Sequence, residues 1–227
     1  MKRKRPAAGG KAGKTIVYCS GPLFCPEERR GMEDVARVLE AAGYKTFLPH
    51  RDGLESHVLS MANDPRGQAP GLRRVATLVN KAIFALDAYQ VLSRCHALVL
   101  NMNGRVPDEG GVAETAMAFA AGKPVVLYKD DARTKFLGAD NCMVTGLSSP
   151  DFCTVSRLAD LPAEVARTVQ RTRENGNNLY EPPPEVRRVL DRGRKIWRMV
   201  SAFHAAGAAP RGSARLVARA AGLVREP

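Results

Sequence analysis

The sequence has no Cys-x-x-Cys pair, and its four histidines, His50, His57, His96 and His204, show no metal-ligand spacing. No metal site is expected on that basis. No apolar run reaches the roughly 18 residues that would span a bilayer. The basic start, Met1-Lys2-Arg3-Lys4-Arg5-Pro6, is not followed by an apolar stretch of the kind that marks a secretory leader. The five cysteines, Cys19, Cys25, Cys95, Cys142 and Cys153, are odd in number. They read as reduced thiols in a cytoplasmic protein rather than as a disulfide frame. What remains is ordinary for a globular chain: 227 residues, 44% hydrophobic and 26% charged.

The formal charge of +12 is unevenly placed. Residues 1–14 hold six Lys or Arg and no acid. Residues 157–227 hold fourteen basic and seven acidic residues, while 15–156 hold fifteen and sixteen. A nucleic-acid groove in the nearly neutral core is therefore not expected, and only the basic ends are candidates for an acidic partner.

Residues 1–13 read as a disordered basic tail. Short β-branched or apolar runs at 15–19, 44–48, 97–100 and 124–128 read as strands, with a fifth at 152–155. Helical periodicity covers 26–42, 72–94 and 110–121. The polar stretch 50–71, with Asp52-Gly53, Asp64-Pro65 and Pro70-Gly71, reads as a long loop of the lid or binding type. Strand and helix alternate across 14–156, which predicts a doubly wound parallel sheet of five strands with helices on both faces. Ligands bind such sheets outside the carboxyl ends of the strands. Residues 157–227 form an Arg-rich helical extension, with a helix at 185–206 and a last Ala/Arg helix beyond 212. The 185–206 stretch fits a packed amphipathic helix with a solvated basic face.

Chemistry concentrates in one segment, 103–119, where three carboxylates, Asp108, Glu109 and Glu114, meet the passage from the third strand to a helix. Glu109 is explained as a helix N-terminal charge. Glu114 is less easily explained, because the other residues of its helix are Ala, Val, Met, Phe and Thr. A carboxylate on a buried helix is costly unless paired or used. The helix N-terminus is expected to favour its ionised, nucleophilic form. Asp87 is a second acid among apolar neighbours, although the sequence equally allows a solvent-facing position. Tyr18 lies at the end of the first strand and also fits a core aromatic. Two or three carboxylates and a phenol at strand ends suit glycosidic-bond chemistry.

Tyr18-Cys19-Ser20-Gly21-Pro22-Leu23-Phe24 resembles the opening motif of the nucleoside 2-deoxyribosyltransferase family. Asp108-x-Gly110-x-x-x-Glu114, with Ala118 and Gly122-Lys123-Pro124, resembles its nucleophile motif, and Asp140-Asn141-Cys142-Met143 its late Asn-x-Met element. Asp87 falls where that family carries a base-contacting aspartate. The likeness covers about 14–147. It implies a flavodoxin-like, Rossmann-like fold, no cofactor, and a homo-oligomer acting on a deoxynucleoside and a free nucleobase. It further implies Glu114 as nucleophile, Tyr18 orienting it, and Asp87 trading a proton with the base. Asp108 and Gly21 would hold substrate, and Asn141 would reach a neighbouring site. Asp108 favours free nucleosides, since a carboxylate there repels a 5′-phosphate. Where many members carry an acid before the third strand, this chain has Cys95-His96. Two other readings stand beside transfer. One is hydrolysis of deoxynucleosides or their monophosphates on the same site. The other is a non-catalytic nucleotide sensor with a basic tail for nucleic acid or a partner.

Overall fold

The computed structural model describes residues 15–62, 69–104, 106–131, 140–148, 152–176, 180–207 and 212–225, with backbone alone at 62 and 69–74. The expected disordered tail at 1–13 lies outside the described residues.

Five strands, β1 (Ile16–Ser20), β2 (Lys45–Phe47), β3 (Ala97–Asn101), β4 (Val125–Tyr128) and β5 (Thr154–Val155), form one sheet in the order β2-β1-β3-β4-β5. Every pairing is parallel, with Tyr18 beside Phe47 and Leu98, and Leu98 beside Val125. This is the flavodoxin-like strand order, with its switch point between β1 and β3. All five residues of β3 are buried, as expected of a strand covered on both faces.

Helix α1 (Pro26–Ala41) opens with Cys25 as its cap. The Glu28 carboxylate accepts from the Cys25 N–H at 3.0 Å, and the Glu28 N–H points back to Cys25 Sγ at 3.4 Å, a capping box with a thiol in the usual hydroxyl position. Its Met32, Val35 and Leu39 pack with Val17, Cys19, Val99 and Val126 on one face of the sheet, joined by Leu161, Val165 and Val169 of α7 (Leu161–Glu174). The other face buries Tyr18, Leu98, Leu100 and Leu127 against Ala118 of α5 (Glu109–Ala120).

The 50–71 stretch differs from the expected loop. Its described part holds α2 (Pro49–Asp52) and α3 (Glu55–Ala62), and α4 (Ala69–Tyr89) starts three residues before the expected 72. Leu54 at 1% exposure and His57 at 7% anchor this region, and two turns are too short to show a helical period. The α4 backbone then widens into a π-helical turn, Gln90–Arg94, with Gln90 fully buried. A short α6 (Cys142–Thr145) follows β4.

The C-terminal helices α8 (Pro184–Ala205) and α9 (Ser213–Gly222) pack on α4. Leu86, Ile196, Val200, Leu216 and Ala220 form their shared core. Fully burying an aliphatic side chain of this size is worth about 1.5–3 kcal/mol. Contact between α4 and α8 is close enough that a Cβ on Gly193 would lie 1.9 Å from the Ala85 carbonyl oxygen. Trp197 of α8 meets Phe47 edge-on at 5.7 Å, Phe47 stacks on Tyr18 at 5.5 Å, and the Arg94 guanidinium lies 4.3 Å from the centre of the Trp197 ring. The stretch Val75–Arg94 is long and apolar enough to cross a membrane by length and composition. In the fold it serves as the core helix between the sheet and the C-terminal pair.

Candidate active site

Tyr18 and Ser20 lie two apart on β1, so their side chains share a face of the sheet. Both reach the same carboxylate. Tyr18 donates its phenolic O–H to Glu114 Oε1 at 2.7 Å, and Ser20 donates its hydroxyl to Oε2 at 2.5 Å. Glu114 stands between Gly111 and Ala118 on the side of α5 that turns toward β1. Tyr18 and Ser20 are fully buried, while Glu114 is partly exposed.

Burial pushes the Glu114 carboxyl up to about 7, against the pull of the Ser20 and Tyr18 donors, with the charges of Glu55 and Asp108 adding to the rise. The expected help from the helix N-terminus is therefore overruled. Glu114 lies beyond the first turn of α5, where the helix field has faded, and desolvation wins. Burial likewise lifts the Tyr18 phenol well above its ordinary value, reinforced by Asp87 and Glu114, so Tyr18 stays a donor.

Asp87, at 8% exposure, is not solvent-facing. It enters from α4, and its carboxyl acts electrostatically on Glu55, Tyr18 and Glu114. Burial first, then the charges of Glu55 and Glu114, hold it well above the usual carboxylate range. The Glu55 carboxyl is also raised by burial, and its interaction with Asp87 draws it back. The structure thus gathers Glu114, Asp87, Tyr18, Ser20 and Glu55 into one connected group beside the switch point. Three carboxyls and a phenol that act on one another, with elevated proton affinities, can hold and move protons.

A family model described as nucleoside 2-deoxyribosyltransferase matches residues 17–186. The chain belongs to the nucleoside 2-deoxyribosyltransferase family. The match begins in β1 and runs through α7 into the first turn of α8. Among solved structures, a conserved protein from Enterococcus faecalis V583 is 22% identical with a TM-score of 0.47, the match covering 67% of this chain and 98% of that one. No curated protein matches the chain.

The remaining residues that the family resemblance singled out take separate positions. Asp108 caps α5, its Oδ2 accepting from the Gly111 N–H at 2.6 Å, and it is near enough to raise the Glu114 proton affinity. Gly21 follows Ser20 with φ +148°, and a Cβ there would lie 2.9 Å from the Asn101 carbonyl oxygen, so only glycine fits the turn out of β1. Asn141 is exposed and caps α6, its Oδ1 accepting from the Met143 N–H at 2.9 Å. Among the described residues no hydrogen bond joins it to the Glu114 group. Beside it, Asp140 pairs with the buried Lys129 at the end of β4 at 2.5 Å, which anchors the Asn-x-Met element to the sheet.

Sequence reasoning missed two members. Ser20 lay inside a quoted motif, and its position two residues from Tyr18 was the available signal. Glu55 lay in the stretch read as a loop, and nothing local distinguished it from a solvated acid. Among the described residues no group of three or more His, Cys, Asp or Glu is arranged to hold a metal ion. All five cysteines are free, with Cys19 and Cys95 buried and Cys142 exposed.

Proposed function

We propose that the chain is a nucleoside 2-deoxyribosyltransferase that moves 2-deoxyribose between nucleobases with retention of configuration. The observation that carries this reading is the Glu114 carboxylate, held by Tyr18 and Ser20 and bordered by the buried Asp87, whose proton affinity is raised. A Glu114 oxygen attacks the anomeric carbon. The bond from that carbon to the base nitrogen breaks, and its electron pair leaves with the base. Asp87 gives the base a proton, so a neutral base and a deoxyribosyl ester of Glu114 result. A second base then attacks the same carbon through a ring nitrogen. The ester bond breaks, Glu114 regains its carboxylate, and the incoming base yields its N–H proton to Asp87. Two displacements restore the starting configuration.

Glu114 is prepared for this by opposing influences. Burial keeps it weakly solvated, which favours attack, while two hydrogen bonds fix its direction and keep a useful fraction ionised at neutral pH. A deoxyribose lacks the electron-withdrawing 2′-hydroxyl, so the oxocarbenium-like transition state is easier to reach without a metal ion. Asp108 is assigned to the sugar 5′-hydroxyl through the oxygen that the helix cap does not use. A 5′-phosphate would add a repulsion of about 1 kcal/mol per charge pair at 4 Å in water, and more in a sheltered site. Asn141, away from the Glu114 group, is assigned to the site of a neighbouring copy in a homo-oligomer.

The test is chromatographic. Deoxyinosine with adenine or cytosine, and thymidine with adenine, are incubated with the protein, with and without acceptor, beside Glu114→Ala. A new deoxynucleoside that disappears in the variant supports transfer. Base released equally with and without acceptor makes the chain a hydrolase instead, and no turnover of any deoxynucleoside or deoxynucleotide overturns the enzyme reading.

A further inference from the structure

Glu55 has no role in the mechanism above, yet one of its carboxyl oxygens is sealed from solvent. It stands at the first position of α3, and its Oε2 folds back over Gly53, where an added Cβ would come within 2.6 Å of it. Glycine at 53 therefore leaves the room in which this carboxylate turns inward. Glu55 Oε2 and Asp87 Oδ1 are both sealed from solvent, and neither has a conventional donor. The two carboxyls act on each other in this sealed space, and a hydrogen bond between them needs a proton held by the pair. Asp87 is more than nine-tenths buried, so its Oδ1 is shut away from water without a donor.

We propose that Glu55 is a positioning residue that keeps Asp87 a neutral carboxylic acid, so that Asp87 meets the departing base already carrying the proton it must give. The proposal rests on the transferase reading of the site. Two buried carboxylates in contact resist a shared double charge. The resting pair therefore keeps one proton. When the bond from sugar to base breaks, that proton moves from Asp87 to the base nitrogen and the pair is left doubly negative. The same repulsion then makes it a stronger base than a lone carboxylate, and it takes the N–H proton of the acceptor base in the second displacement. One device thus serves both half-reactions. The groups that act on Asp87 are Glu55 from α3, Glu114 from α5 and Tyr18 from β1. Glu55 also acts on Glu114, so its charge is felt at the nucleophile as well.

The experiment has two arms on the full chain. In the first, NMR titration with carboxyl-labelled Asp and Glu follows the late-titrating carboxyl, identified by its disappearance in Asp87→Asn. The expected result is an Asp87 carboxyl still protonated at pH 7, whose titration moves down by about one unit or more in Glu55→Gln. In the second, the pH profile of donor cleavage is compared among wild type, Glu55→Gln and Glu55→Asp. Glu55→Gln is expected to move both limbs toward acid and lower kcat at pH 8 by about tenfold with little change in KM, while Glu55→Asp restores part of the loss. An Asp87 titration unchanged by Glu55→Gln overturns the proposal. So does a loss of amplitude with both limbs unmoved, which is the mark of a merely structural role. If the wild type turns over no deoxynucleoside, the transferase reading fails in the second arm, while the first still decides whether Glu55 governs the Asp87 proton.

Discussion

Tyr18→Phe separates the hydrogen bond to Glu114 from everything else Tyr18 does. The ring remains, and with it the stacking on Phe47 at 5.5 Å, so the fold is expected to hold. What is lost is one donor at 2.7 Å from a carboxylate that sits at about 7. A hydrogen bond to a charged group is worth about 1.5–3 kcal/mol, which is about 1–2 units of proton affinity. The Glu114 carboxyl rises accordingly, and its ionised fraction at pH 7 falls from about half to between about a tenth and a hundredth. The rate of donor cleavage, kcat/KM, is expected to fall about 5- to 50-fold at pH 7. The deficit narrows as pH rises and Glu114 ionises again. The assay is the pH dependence of base release from a single deoxynucleoside, wild type beside variant. A deficit that is the same at every pH would mean that Tyr18 does not set the ionisation of the nucleophile.

Glu114 itself should make stability depend on pH. Its folded value of about 7 lies above its ordinary 4.5, so the folded chain binds more protons and stability falls as pH rises through that window. Glu114→Gln is expected to flatten this slope and raise stability at pH 8 by about 1–3 kcal/mol, read from urea unfolding at pH 5 and pH 8, while abolishing base release. Asp108→Asn keeps a competent helix cap and removes the charge facing the sugar 5′ position. Turnover of deoxynucleoside 5′-monophosphates relative to nucleosides should rise about tenfold in competition assays, and an unchanged ratio would remove Asp108 from substrate selection. Gly193→Ala forces a methyl group toward the Ala85 carbonyl and should lower stability by about 1–3 kcal/mol by separating α8 from α4, a thermal shift of several degrees in a melting experiment.

The parts of the site written into one segment could be read without coordinates. Glu114 stood out because a helix N-terminal charge explains an acid inside an apolar helix less well than it explains Glu109, and the alternation of strand and helix placed that helix at the carboxyl edge of a parallel sheet. Asp87 was ambiguous, since a single acid near the end of a long helix can face either way. Only the packing of α3, α8 and α9 around α4 buries it. Glu55 was hidden for a different reason. Its importance comes from contact with a residue 32 positions away, and its own helix is two turns long in a polar stretch. The contact of Trp197 with Phe47 behind Tyr18 is likewise tertiary. The apolar spacing of α8 announced a buried stripe but not what it would cover. The ionisation of Glu114 was misjudged because the helix field was weighed without the burial that opposes it.

In the proposed mechanism Glu114 becomes covalently bonded to deoxyribose. The direct measurement is mass spectrometry of the chain quenched in acid during turnover of a deoxynucleoside without acceptor, followed by peptide mapping. The expected result is one added deoxyribosyl group, located on Glu114, that disappears when an acceptor base is supplied and never forms in Glu114→Gln. Turnover by an unmodified chain, or an adduct on another residue, would contradict it.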